Sequence, residues 1–252
     1  MISRGTQKKD KIGGGTNSLF ISLIPKESRP SNVSRFHPIS LCNAAYKVLT
    51  KVIANRLKNL LPSIISQNQG GFLQNGRITD NIILVQEAIH SRNLQKEGGT
   101  VIKLDMENAF NRVNHSFLLK VMRKVGFHQN FVRWIKACIG SPWITPLVNG
   151  QATIFFKGER GLRQVCPLSP SLYILMADCL SRKLEEERRK GNLGGIKIVR
   201  DMRSLKHSQF ADNTLLMGGA SSIIAKRFKS VLENLLEAMG GNINKDKSKV
   251  YN

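Results

Sequence analysis

The sequence predicts an α+β fold, on two observations. Apolar residues recur at three- and four-residue steps in several stretches, as on the buried side of helices. Between them stand short β-rich runs, the clearest being 143–148 and 151–156 around Asn149-Gly150, the signature of a type I′ hairpin. With 252 residues, 41% of them hydrophobic, the chain can bury a substantial core.

Taken in order, residues 1–17 are polar, basic and Gly-rich, which predicts a disordered basic arm. Residues 20–24 read as a strand stopped by Pro25, followed by a loop with Pro30 and Pro38. A helix from Asn43 carries Tyr46, Leu49, Ile53, Leu57 and Leu60, and Pro62 ends it. A second helix starts at Thr79, with Ile82, Ile83 and Ile89 on one side. Residues 100–105 form a strand ending on Asp105. After Asn114 a helix buries Phe117, Leu118, Val121 and Met122 and stops at Gly126, and another runs over 130–139. Ser169 caps a helix over 167–190, with Pro170 in its first turn and a charge run at its end. Residues 196–199 are a strand, 204–217 a hairpin with Asp212-Asn213 at its tip, and 223–239 a helix closed by Gly240-Gly241. Asp and Asn suit the φ > 0 backbone that such tips need.

Thirty-nine Lys and Arg against 17 acids leave a net charge of +22, a field that concentrates polyanions and points to nucleic acid. No run approaches the roughly 18 apolar residues of a membrane helix, and no apolar signal region opens the chain. No membrane partner is expected, and the location is nuclear or cytoplasmic, not secreted. Cys42, Cys138, Cys166 and Cys179 are scattered, which fits reduced thiols better than disulfides or a zinc site.

Two carboxylates carry the chemistry. If the strand ending on Asp105 lies beside the hairpin tip at Asp212, both acids project into one cleft. There they could hold a pair of divalent cations that bind a nucleoside triphosphate and activate a primer hydroxyl. Mg²⁺ suits an all-oxygen site with few protein ligands, with Mn²⁺ the alternative. Spacing alone does not defeat the alternative of an ordinary Asp-Asn surface turn.

A series of short motifs occurs in one order along the chain. It comprises Phe20-Ile21-Ser22-Leu23-Ile24-Pro25-Lys26, Phe36-His37-Pro38-Ile39-Ser40-Leu41, Ala54-Asn55-Arg56-Leu57 and Ile78-Thr79-Asp80-Asn81. There follow Lys103-Leu104-Asp105-Met106, Ala109-Phe110, Gly161-Leu162-Arg163-Gln164, Pro167-Leu168-Ser169-Pro170, Phe210-Ala211-Asp212 and Ile243-Asn244-Lys245-Asp246-Lys247-Ser248. In these, the chain from Phe20 onward resembles the fingers and palm of the reverse transcriptase of a plant LINE-type (non-LTR) retrotransposon. The resemblance implies a polymerase palm, a ferredoxin-like antiparallel sheet with helices on one face, plus mostly helical fingers. It assigns residues 18–252 to fingers and palm, with the thumb and endonuclease of the family absent.

The same resemblance implies site roles. Asp105 and Asp212 are the metal ligands, and Asn213 completes the catalytic tip. Phe110 lies under the incoming sugar and excludes a 2′-hydroxyl, Arg163 and Gln164 lie along the template and nucleotide, and Lys247 stands near the departing pyrophosphate. The implied partners are an RNA template, a DNA primer and deoxynucleoside triphosphates.

The departures from the family fall on this chemistry. Asn213 stands where the family has a second Asp, removing a charge meant to balance dications. Val165 and Cys166 stand where it has Gly and Asp, and a β-branched residue takes φ > 0 poorly. Asn111 replaces an acid, His37 an Arg, and Gly76-Arg77 falls one place late. The expectation is a truncated, degenerate copy with weak or no turnover. A non-catalytic nucleic-acid-binding remnant is the alternative, and a product that never folds stably is a third.

Overall fold

The computed structural model describes residues 12–73, 79, 82–83, 85–87, 89–90, 99–140, 142–194 and 207–251. Its strands, in chain order, are β1 (Leu19–Pro25), β2 (Phe36–Cys42), β3 (Gly99–Asp105), β4 (Trp143–Val148), β5 (Gln151–Ala152), β6 (Phe156–Lys157), β7 (His207–Phe210), β8 (Asn213–Gly219) and β9 (Lys249–Tyr251). The chain divides into two compact units, one of residues 1–59 and 110–172, the other of residues 60–109 and 173–252.

The first unit has a sheet in the order β2-β1-β4-β5, with β6 also pairing β4. Pro38 lies in β2, where a loop was expected. It pairs with Leu23 on an edge strand, the one place in a sheet where a missing N–H costs no ladder bond. Asn149 and Gly150 turn β4 into β5 with φ of 50° and 78°, both positive as type I′ demands. The expected mostly helical unit thus pairs this sheet with helices Ala44–Lys58, His115–Val125 and Gln129–Ile139. Asn43 caps the first, its Oδ1 accepting the Ala45 N–H at 2.8 Å, and Tyr46, Ile53 and Leu57 are its buried stripe. The Tyr46 hydroxyl donates to the Cys138 carbonyl at 3.0 Å, joining the first helix to the third.

Two boundaries differ from expectation. Helix Ala44–Lys58 ends at Asn59, and Pro62 sits in the opening turn of a short helix, Leu61–Ile64, where its missing N–H has no intrahelical partner to lose. The polar stretch expected as an arm joins the fold at its end. Ile12 is buried and Gly14–Asn17 forms a helical turn, with Asn17 donating from Nδ2 to the Gly140 carbonyl at 3.0 Å. Hydrogen bonds do here what apolar burial does elsewhere. Residues 1–11 lie outside the described residues, as does the expected strand 196–199. Of the helix expected from Thr79, the described residues are helical.

The second unit is built on an antiparallel sheet in the order β7-β8-β3-β9. Alternation sends Ile102, Leu104 and Leu216 to one face. There they pack with Leu180 and Leu184 of helix Ser169–Arg189 and with Phe228, Val231 and Leu232 of helix Ser222–Met239. Val101 and Met217 point the other way and meet Val85. Asp105 has the parity of Val101, so it leaves the sheet on this second face, opposite its register partner Asn213.

Candidate active site

Strands β7 and β8 are joined by Ala211 and Asp212, closed by the pair Phe210 and Asn213. Of the two central residues only Ala211 has positive φ, 56°, the pattern of a type II′ turn. The sequence reading placed that conformation on Asp or Asn; the strain instead falls on an alanine. Asp105 is the last residue of β3 and faces Asn213 across the ladder, so Asp212 is the next residue along from its partner.

The electrostatics agree with this proximity. The Asp212 carboxyl is raised above the usual carboxylate range, first by burial and further by the charge of Asp105; a backbone hydrogen bond and the Lys247 ammonium pull the other way. Tyr173 is buried, and its phenol is pushed up first by burial and then by the charges of Asp212 and Asp105. Asn213 Nδ2 donates to Asp212 Oδ1 at 3.3 Å, so an amide N–H meets the carboxylate where the family has a second acid.

The segment after helix Ser222–Met239 clasps Asp105. The Asn244 N–H donates to the Asp105 carbonyl at 2.9 Å, and the Asp105 N–H donates to Ser248 Oγ at 3.1 Å. Asn244 Oδ1 accepts the N–H groups of Asp246 and Lys247, a tight turn that presents exposed Lys247 near the tip. The second unit thus brings together Asp105, Asp212, Asn213 and Lys247. The sequence reading missed Tyr173, hidden in an apolar helical stripe, and Ser248, whose role is a bond across 143 residues.

The other named residues belong to the first unit. Gly161 (φ 90°) and Leu162 donate their N–H groups to the carbonyls of Val113 and Phe110 at 2.8 and 2.7 Å, which lays this loop along 110–113. A Cβ on Gly161 would sit 2.6 Å from the Asn111 oxygen, so only glycine fits there. Gln164 Nε2 reaches Asn111 Oδ1 at 3.4 Å. Arg163 does not lie on the surface. It is 8% exposed, its guanidinium stacks 3.8 Å from the Tyr46 ring centroid, and Nη2 donates to the Asn17 carbonyl at 3.0 Å and to Asn17 Oδ1. Among the described residues its Nε and Nη1 meet no nitrogen or oxygen acceptor, and the neighbouring Cys42 thiol is the group that the guanidinium acts on. The guanidinium lowers Cys42 and Cys138, but burial dominates and pushes Cys138 up to about 12. All four cysteines are free thiols.

His115 Nε2 is 2.7 Å from the Gly161 carbonyl, an acceptor, so that nitrogen carries the proton. Burial holds its imidazole below the ordinary range. A depressed folded pKa means stability that is full above the unfolded value, near 6.5, and is lost as pH falls through the folded one. Urea midpoints should decline from about pH 6.5 downward, and His115→Gln should flatten that slope; equal slopes would contradict the assignment.

Among the described residues no group of three or more His, Cys, Asp or Glu is gathered for metal binding. The two acids nevertheless fit a divalent ion held by few protein oxygens and by water or phosphate, the manner of Mg²⁺. The charge of Asp105, which raises Asp212, is the electrostatic imbalance that a dication relieves.

Comparison with known proteins agrees. The family model for reverse transcriptase (RNA-dependent DNA polymerase) matches residues 24–252. The transposon TX1 uncharacterized 149 kDa protein of Xenopus laevis is 28% identical over 244 residues, 96% of this chain and 18% of that protein. A Pol polyprotein from the type-1 retrotransposable element R2 of Popillia japonica is 26% identical over 228 residues, 90% of this chain and 31% of its own length. The chain therefore spans between about a fifth and a third of these relatives. Telomerase from Candida tropicalis, solved in complex with a fragment of telomeric RNA, superposes with a TM-score of 0.62 at 13% identity, covering 96% of this chain and 42% of that one, a likeness of fold. With a mixed α+β architecture of the polymerase palm type and a family match over most of its length, the chain belongs to the reverse transcriptase (RNA-dependent DNA polymerase) family, as a domain of the non-LTR retrotransposon kind.

Proposed function

We propose that the chain carries the centre of an RNA-directed DNA polymerase, which extends a DNA primer on an RNA template from deoxynucleoside triphosphates in the nucleus or cytoplasm. The observation that carries the reading is the meeting of Asp105 with the Asp212 tip at one end of an antiparallel sheet. Enzymes of this family use divalent metal ions, and Asp105 and Asp212 are the residues that would hold them. A bound ion would lower the pKa of the primer hydroxyl and neutralise phosphate charge. Exposed Lys247 supplies a cation for departing pyrophosphate. Phe110 and Gln164 are assigned to the nucleotide by their motif positions. Arg163, turned inward, is assigned to holding the loop that carries Gln164.

A second reading, a binding domain without turnover, is favoured by Asn213 at the tip and by Val165, whose φ of 63° is costly for a β-branched residue. Both readings require binding to primer–template through phosphates. Log K should fall with log salt by about 0.9 per phosphate neutralised, with little sequence preference; affinity insensitive to salt would contradict both. RNA-templated extension of a DNA primer separates them. Among the described residues no helix is long and apolar enough to cross a membrane.

A further inference from the structure

The segment that holds the hairpin tip from outside lies far away in sequence. Asp178, buried in helix Ser169–Arg189, accepts the Ser66 N–H at 2.8 Å and Arg182 Nε at 2.7 Å, which fixes the start of this segment. From there the chain runs beside β7, the edge strand of the sheet. The Gln209 N–H donates to the Asn68 carbonyl at 2.7 Å, the Gly70 N–H donates to the Gln209 carbonyl at 2.9 Å, and Gln69 bridges Gln209 in parallel.

Gln69 is 1% exposed, and its Oε1 accepts two backbone N–H groups, those of Gly71 at 2.9 Å and Ala211 at 3.1 Å. Two N–H donors converging on one atom identify it as the oxygen of the amide. Gly71 lies so close that a Cβ there would fall 2.3 Å from the Ala211 nitrogen. Ala211 is the strained residue of the turn, held at a positive φ that L-residues seldom adopt. Something outside the hairpin must hold that peptide, and the Gln69 oxygen is bonded to it.

We propose that Gln69 is a positioning residue for the metal site: by accepting the Ala211 N–H it holds the turn in the conformation that aims the Asp212 carboxylate at Asp105. The inference rests on the reading of Asp105 and Asp212 as ligands of a divalent ion. Groups that orient ligands in this way change metal affinity by roughly 10–100-fold when removed.

The test is Mn²⁺ binding to the full chain, measured by electron paramagnetic resonance, alongside amide exchange at Ala211 and at Leu216 in β8. Gln69→Leu should weaken Mn²⁺ binding at least about tenfold and speed exchange at Ala211, with Leu216 unchanged. Gln69→Asn, one methylene too short to reach, should shift both readouts the same way and serves if Gln69→Leu does not fold. Asp212→Asn should abolish Mn²⁺ binding. Faster Ala211 exchange with parental Mn²⁺ affinity would overturn the positioning role while leaving the metal site standing, as would unchanged Ala211 exchange. A parent chain that binds no more Mn²⁺ than Asp212→Asn would overturn the metal site itself, and the positioning role with it.

Discussion

A chain carrying Val165→Gly and Cys166→Asp together should be more stable than the parent by about 2–4 kcal/mol, read as a higher urea midpoint with an unchanged slope. Val165 stands at φ 63°, exposed, so its side chain gains little from burial to offset the backbone cost. Relieving an αL conformation recovers about 1–2 kcal/mol, less roughly 0.5–1 kcal/mol for the entropy of an unfolded glycine. Cys166 is buried, and it lies close enough to Tyr46, Cys42 and Cys138 to act on each of them, as the Arg163 guanidinium does. Among the described residues that guanidinium has two buried donors without a nitrogen or oxygen acceptor. A carboxylate introduced there meets a cation already paid for in desolvation, and a charged hydrogen bond contributes about 1.5–3 kcal/mol. Because the new acid would be held below its usual range, the gain should be complete above about pH 4 and lost as pH falls further. Cys166→Asp in an Arg163→Met background should give no gain; an equal gain there would disprove the pairing.

Asn213→Asp should have a larger effect on activity and the opposite effect on metal-free stability. In the parent, the Asn213 amide donates to Asp212, whose carboxyl is already raised by burial and by Asp105. A second acid replaces that donor with a like charge, so the variant should unfold at lower urea without metal and regain the loss in millimolar Mg²⁺ by linkage. Its raised carboxyl groups bind protons more tightly folded than unfolded, so the deficit should shrink as pH falls toward the carboxylate range. Combined with Val165→Gly and Cys166→Asp, it should raise primer extension beyond the product of the separate effects, because groups serving one transition state do not act independently. A stability loss indifferent to Mg²⁺ would show that the tip does not bind the ion.

Much of the fold was legible because its signals are local. The stripe of Tyr46, Ile53 and Leu57, the helix starts at Asn43 and Asn114, and the Asn149-Gly150 turn each depend on a few neighbouring residues, and each stands where the sequence puts it. The misreadings of Pro38 and Pro62 have one cause. Proline's effect depends on whether its missing N–H had a partner, and edge strands and first turns are settled by neighbours that the sequence does not show. At the site, Asp105 and Asp212 were legible as a strand end and a turn. The residues around them were not, since Gln69 reaches Ala211 across 142 residues and Ser248 reaches Asp105 across 143. The surroundings of Arg163 were not legible either, since its motif says nothing of the partners that hold it, Tyr46 and Asn17, which lie far from it in sequence.

The most direct measurement is RNA-templated extension of a DNA primer in Mg²⁺ and in Mn²⁺ by the variant with Val165→Gly, Cys166→Asp and Asn213→Asp, with and without Asp105→Asn. The expected result is extension that depends on template and metal and falls at least about 100-fold with Asp105→Asn, while thermal unfolding shows that variant still folded. Extension that survives Asp105→Asn and Asp212→Asn alike would show that these carboxylates are not the polymerase centre.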